Sequence, residues 1–201
     1  MKFLVTGASG FVGRPLCAEL SSRGGSVHAA VRSGNTTVEN TEAVTFGEMD
    51  SETNWSAALN KIDAVIHLAA RVHVMKDETA DPLAEFLKVN LYGTSNLAQQ
   101  AVSAGVKRFV YVSSVKVNGE RTTVNRPFTE SDEPDPQDPY GISKLRAEQD
   151  LQRIAKVTGL EVVIVRPPLV YGPGVKGNFA RLLAAIDRGV PLPLAGANNL
   201  R

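Results

Sequence analysis

The chain reads as an α/β protein built on a doubly wound parallel sheet. Strand-like and helix-like stretches alternate along all 201 residues, which is the layout of helices laid over a parallel sheet. Several strand candidates, such as Ala64-Val65-Ile66 and Val162-Val163-Ile164-Val165, are unbroken apolar runs, the mark of strands covered on both faces. The first strand candidate also runs directly into a glycine-rich turn that opens a helix.

The strand candidates are residues 2–6, 26–31, 43–47, 63–69, 107–113 and 160–166. Helix candidates lie at 11–23, 53–60, 82–104, 140–158 and 177–188. Lys2-Phe3-Leu4-Val5 is rich in strand formers, and Val12, Leu16 and Leu20 then recur at the spacing of one helix face. Leu83, Phe86, Leu87 and Leu91 give the 82–104 helix an apolar face; Ala147, Leu151, Ile154 and Ala155 do so for 140–158. Asp138 is suited to cap that last helix, with Pro139 at its first position and Gly159 just past its end. Residues 115–139 are irregular, with Pro127, Pro134, Pro136 and Pro139 among acidic residues, and a loop of that length is usually functional or mobile.

Composition narrows the function. The length suits one well-buried domain. The 22 basic and 21 acidic residues are interspersed, with net charge +1, which argues against a nucleic-acid or membrane-surface protein. Cys17 is the sole cysteine, so no intrachain disulfide forms and a reducing, cytoplasmic home is expected. The opening apolar run breaks at Gly7, and no run approaches the roughly 20 apolar residues of a membrane span.

Thr6-Gly7-Ala8-Ser9-Gly10-Phe11-Val12-Gly13 is the stretch that carries most chemistry. A strand, a glycine turn and a helix opening direct backbone N–H groups and a positive dipole end at an anion. Gly7 permits the tight turn, Gly10 the approach of a pyrophosphate, and Gly13 close helix packing, which points to a dinucleotide. The second strand ends at Val31-Arg32-Ser33, where NAD-binding chains commonly carry an acid for the ribose hydroxyls; a guanidinium there suits a 2′-phosphate and tilts the reading from NAD to NADP. The alternative is a solvated arginine. Glu48 and Met49 are candidates to cap the adenine, and the small residues of Leu68-Ala69-Ala70 let phosphates and ribose pass close to the backbone.

His67 lies among apolar neighbours and reads as a satisfied core histidine rather than a ligand; His28 and His73 show no metal spacing either. Asn90 is either a solvated helix residue or a buried polar link between cofactor-side loops. The strand ending at Val112 delivers Ser113 and Ser114 to the carboxyl end of the sheet, where ligands gather. Tyr140 and Lys144, four apart at a helix opening, share one face. A phenol is a poor base at neutral pH unless a neighbouring ammonium lowers its pKa, so Lys144 is expected to activate Tyr140, with Ser114 polarising the same substrate oxygen.

The order of glycine turn, strand-end serine and Tyr-x-x-x-Lys resembles the extended short-chain dehydrogenase/reductases. The likeness is to their NAD-dependent epimerase/dehydratase group, which acts on nucleotide sugars on a Rossmann fold. It also runs through Asp63–Ala70, Asn90 with Gly93-Thr94, Tyr111–Ser114, and Arg166-Pro167-Pro168-Leu169-Val170-Tyr171-Gly172-Pro173-Gly174. It implies Tyr140 as base, assisted by Ser114 and Lys144. Together with the readings above, the expected cofactor contacts are Gly7, Ser9, Gly10, Phe11, Val12, Gly13, Arg32, Glu48, Met49, Leu68, Ala69, Ala70, Asn90, Val112, Tyr140 and Lys144, to which the resemblance adds Pro167 and Val170 at the nicotinamide amide. Ser114, Tyr140 and Asn178 are implied for the substrate, Asn178 at its diphosphate. A homodimer through the 82–104 and 140–158 helices is a further family expectation, although those apolar faces equally serve the core.

Three departures matter. Val115-Lys116 stands where the family's 4,6-dehydratases carry Asp-Glu, so dehydration is not expected. Val31 replaces the acid of NAD-binding epimerases. Family members also carry a longer C-terminal lobe, so residues 1–175 are expected to form the dinucleotide-binding domain and 176–201 the start of a substrate lobe that is largely missing, leaving a chain that binds cofactor and turns over poorly. The leading expectation is a nucleotide-diphosphate-sugar 4-epimerase. The alternatives are an NADPH-dependent 4-keto-6-deoxy sugar-nucleotide reductase and a non-catalytic NAD(P)-sensing module.

Overall fold

The computed structural model describes residues 1–33, 36–72, 81–122, 125–175 and 177–191. His73 lies outside them. Six parallel strands form one sheet: β1 (Lys2–Thr6), β2 (Ser26–Val31), β3 (Glu42–Thr45), β4 (Ala64–His67), β5 (Arg108–Val112) and β6 (Glu161–Val165). Their order is β3-β2-β1-β4-β5-β6, so the chain starts at the centre, winds outward to β3, returns to β4 and winds outward to β6. The reversal between β1 and β4 opens a crevice at the carboxyl ends of those strands. The sheet is thus doubly wound, as the alternating apolar runs require.

Helix α1 (Gly13–Ser22) covers one face, where Cys17 joins Val5, Ala29 and Val31 in a core. The other face is covered by α3 (Thr94–Ser103) and α4 (Pro139–Thr158), whose Leu97, Ala101, Ala147 and Leu151 meet Leu4, Val65 and Phe109. The 82–104 stretch is helical throughout but not uniform. α2 (Pro82–Leu87) passes into a π-helical turn at Lys88–Gly93 before α3 begins. That wider turn buries Asn90, and Gly93 lies so near Met49 that an added Cβ would sit 3.0 Å from its Cγ. α4 has the ends its sequence implies: Asp138 Oδ1 accepts from Gly141 N at 2.6 Å, and Gly159 takes φ +76° at the C-terminus. α5 (Gly177–Asp187) buries none of its residues.

Residues 53–60 do not form the expected helix. Leu59 N donates to Trp55 O, but the Trp55 N–H is taken by Gln100 Oε1 at 2.8 Å and the Thr53 carbonyl by Gln100 Nε2 and Asn96 Nδ2. Side chains of α3 therefore satisfy the backbone groups that helical bonds would use, while Trp55, Ala58 and Leu59 still point into the core. The apolar spacing was real; its cause was burial of a set of turns.

Candidate active site

The turn after β1 is drawn tightly against the end of β4. Gly7 adopts φ +67°, and a Cβ there would lie 2.8 Å from Ala69 N. Gly10 N donates to Gly7 O at 2.9 Å, and a Cβ on Gly13 would lie 2.2 Å from that same oxygen. α1 opens with no side-chain cap and no acid in its first turn, so its first N–H groups and positive dipole end serve the space over the turn. That space is a cleft of about 430 Å³. Gly7, Ser9, Gly10, Arg32, Glu48, Met49, Leu68, Ala69 and Ala70 all line it, as does Arg71.

Beyond the end of β2, Ser9, Arg32, Ser33, Thr36 and Glu48 enclose a further hollow of about 480 Å³. The uncapped helix end, the glycine cradle and the cationic Arg32 match the pyrophosphate and ribose of a dinucleotide, so these residues fit the cofactor. Phe11, Val12 and Val170 line an adjoining hollow of about 660 Å³ with Tyr171, which shares Ser9 and Gly10 with the cleft. Gly13 is buried and acts through packing alone.

Ser114 follows β5 and Tyr140 opens α4, and the Ser114 hydroxyl is near enough to the phenol to favour its ionised form. Ser114 Oγ also accepts from Lys116 N at 3.2 Å. Lys144, one turn beyond Tyr140, is 1% exposed; its Nζ donates to Val112 O at 2.8 Å and sits 4.1 Å over the Tyr111 ring. Burial pulls this ammonium down to about 7, opposed by the Glu148 carboxylate. Tyr140 departs from the sequence expectation. Burial pushes its phenol above the ordinary value, the Ser114 hydroxyl works the other way, and the Asp138 carboxylate adds to the rise. Lys144 is not among the groups that lower it, because with its own value near 7 it has lost its charge before so raised a phenol ionises. Pro167 lies beside this group, its carbonyl accepting from Val115 N at 3.1 Å.

Asn90 is the buried link rather than a lining residue. Its Oδ1 accepts from Arg71 N at 2.8 Å, and its Nδ2 donates to Arg71 O at 3.0 Å and Ser143 Oγ at 2.9 Å. The amide is thereby engaged in joining the β4 exit, at the cleft residue Arg71, to α4. His67 is fully buried between Thr6 Oγ1 at 2.6 Å and Thr94 Oγ1 at 2.9 Å. Burial, then the charge of Lys144, hold it near pKa 3, so it is a neutral core residue. Asn178 stands apart, exposed on the first turn of α5.

Some contributors escaped the sequence reading. Arg71 stacks its guanidinium 5.6 Å from the Phe86 ring, and Phe86 packs edge-on against Tyr140 at 6.1 Å. Arg71 had a signal, since it directly follows the small residues that admit the cofactor; Phe86 looked like any core position. Arg166 grips buried Glu148 through two nitrogens, Nη2 at 2.5 Å from Oε2, joining the exit of β6 to α4. Among the described residues no His, Cys, Asp and Glu group suits a metal, and no helix is long and apolar enough to cross a membrane.

Residues 3–201 match the NAD dependent epimerase/dehydratase family. The UDP-glucose 4-epimerase of Vibrio cholerae is 46% identical over 193 residues, 94% of this chain and 58% of the relative. The GDP-6-deoxy-D-mannose reductase of Pseudomonas aeruginosa is 34% identical over 195 residues, 94% and 60% of the two chains. Among solved structures, UDP-glucuronic acid 4-epimerase from Bacillus cereus in complex with UDP-glucuronic acid and NAD superposes with TM-score 0.80 at 28% identity, over 96% of this chain and 65% of that one. The chain spans about three fifths of the length of the two curated relatives.

Proposed function

This chain belongs to the NAD dependent epimerase/dehydratase family, and from that premise we propose that it is the cofactor-binding part of a nucleotide-diphosphate-sugar 4-epimerase. The observation that carries the reading is that Ser114, just past β5, and Tyr140, opening α4, lie together at the carboxyl end of the sheet, with Tyr140 linked through Phe86 to Arg71 of the glycine cleft. Tyr140, as phenolate, takes the proton from the C4 hydroxyl of the sugar and holds it on its own oxygen. Ser114 donates a hydrogen bond to the same substrate oxygen and keeps it directed at Tyr140. Lys144 supports the phenolate from one helical turn away. The bound nicotinamide supplies the site that accepts the C4 hydrogen as hydride and gives it back. Tyr140 returns its proton after the sugar presents its other face, so configuration at C4 inverts.

Arg32 at the end of β2 gives the adenosine end a cation suited to a 2′-phosphate, so NADP is favoured over NAD. Residues 1–175 are assigned to cofactor binding and 176–201 to the start of the substrate lobe, with Asn178 meeting the diphosphate. A homodimer through α2–α3 and α4 suits the half-exposed Tyr92, and the single buried Cys17 suits the cytoplasm.

The test is conversion of UDP-glucose to UDP-galactose by the full-length protein, without net consumption of nicotinamide. Tyr140→Phe is expected to lower kcat about 10³-fold with the melting temperature unchanged; full activity in that variant would remove the assignment. A second reading, a 4-keto sugar-nucleotide reductase, is favoured by the reductase relative together with Arg32. It predicts stoichiometric loss of NADPH with a 4-keto-6-deoxy sugar nucleotide.

A further inference from the structure

We propose that Lys116 is a positioning residue for this reaction: paired with Asp138, it ties the turn that carries Ser114 to the helix opening that carries Tyr140. The inference rests on the reading of Tyr140 as the base and adds the device that sets its distance and field. Lys116 touches both partners with every polar group it has. Its N–H donates to Ser114 Oγ at 3.2 Å, within the single 3-10 turn Val115–Val117. Its ammonium lies 3.1 Å from Asp138 Oδ2 and is hydrogen-bonded to Glu120 Oε1 as well. Its carbonyl borders the α4 opening so closely that a Cβ on Gly141 would approach to 2.9 Å.

Asp138 is the other half of the tie. One carboxylate oxygen caps α4 through Gly141 N at 2.6 Å, and the other takes the Lys116 ammonium. Tyr140 is two residues further on. The Lys116–Asp138 contact is half-buried rather than sealed, with side-chain exposures of 32% and 31%, so removing either charge does not strand the other in the core. The pair also shapes the field at the phenol. Tyr140 is faced by Ser114 from the turn after β5, Tyr111 from β5 itself, Asp138 at the helix opening, Lys144 one turn on, and Arg71 across Phe86 from the exit of β4. Of these, the Asp138 carboxylate raises the phenol, and the Lys116 ammonium, 3.1 Å from that carboxylate, is placed to offset it.

Two substitutions therefore push in opposite directions, which a purely structural role cannot do. The full-length protein with NAD bound is compared as Lys116→Met, Lys116→Arg, Asp138→Asn and the Lys116→Met/Asp138→Asn double variant. Asparagine keeps the helix cap while removing the charge. The readouts are the titration of Tyr140 by NMR of ring-labelled tyrosine, assigned with Tyr140→Phe among the 4 tyrosines, and the pH profile of kcat/KM. Lys116→Met is expected to move both the titration and the acidic limb upward by roughly half a pH unit or more, and Asp138→Asn to move both downward. Lys116→Arg should behave as the parent, and the double variant should fall between the two single variants. Shifts of one sign in both single variants, or no shift with a lowered melting temperature, would overturn the inference. A titration that moves as expected with no change in activity would support the electrostatic tie and remove Tyr140 as the base, so the two failures are distinguishable.

Discussion

His67 and Lys144 are ionisable side chains held away from their ordinary protonation, and each leaves a distinct mark on stability. With its pKa near 3, His67 stays neutral in the folded chain while the unfolded chain takes up a proton below about 6.5. The unfolded state thus binds more protons between about pH 6.5 and 3, so folding stability falls as pH drops through that window. Lys144 acts at the other end. Its folded value near 7 lies below the ordinary 10.5, so stability rises with pH from about 7 to 10.5 and is flat below 7. Urea unfolding at a series of pH values should show His67→Gln flattening the acid limb and Lys144→Met flattening the alkaline one, each relative to the parent. The role proposed for Arg32 concerns ligand choice instead. Arg32→Ala is expected to weaken NADPH binding about tenfold, the 1.4 kcal/mol scale of one lost charge-assisted contact, and to leave NADH binding unchanged, as read by fluorescence titration. Position 32 was legible in the sequence because it follows a strand at a fixed distance from the glycines. The field around Tyr140 was not, because the direction taken by the Lys144 ammonium depends on the Val112 carbonyl of a strand far away in sequence.

The opening of α1 is where element geometry and function meet. Gly13 is the residue whose Cβ has nowhere to go, since 2.2 Å separates it from the Gly7 carbonyl that closes the turn through Gly10. Gly13→Ala must push the helix off the turn, and the overpacking should cost about 1–3 kcal/mol in urea unfolding. Because the same shift displaces the first N–H groups of α1, NADH affinity should fall in parallel. An unchanged affinity would detach the turn from cofactor binding. This element was readable because its demand is local: strand, glycine spacing and helix period lie within a single stretch. The strands and the caps of α4 were readable for the same reason. The 53–60 segment was not, since Gln100 and Asn96, more than 40 residues away, supply the bonds that replace a helix there. Nor did periodicity signal the π-helical turn that brings Asn90 inward to Arg71 and Ser143.

Across the whole molecule the two faces of the sheet are covered unequally. The face under α3 and α4 is packed from Leu4 to Leu151. The face under α1 is covered over β1, β2 and β4, but among the described residues its continuation over β6 is left partly exposed. Register places Ile66 beside Val110 and Val110 beside Val163, so Val163 and Val165 continue the face that α1 begins, yet they remain 43% and 42% exposed. β6 is also a sheet edge, pairing β5 alone among the described strands. The opposite edge, β3, is short and carries Glu42, a common protection against edge pairing. β6 has no charge beyond Glu161 at its start, and Leu183 and Ile186 of α5 are left exposed as well. An apolar edge beside an apolar patch is a template for association. The 201-residue chain by itself should therefore associate with rising concentration and bind a hydrophobic dye at β6, as read by light scattering and dye fluorescence. Val163→Lys should suppress both without lowering the melting temperature, because the side chain it replaces is nearly half exposed. Association that persists unchanged in Val163→Lys would place the sticky surface elsewhere, on the helical face around Tyr92.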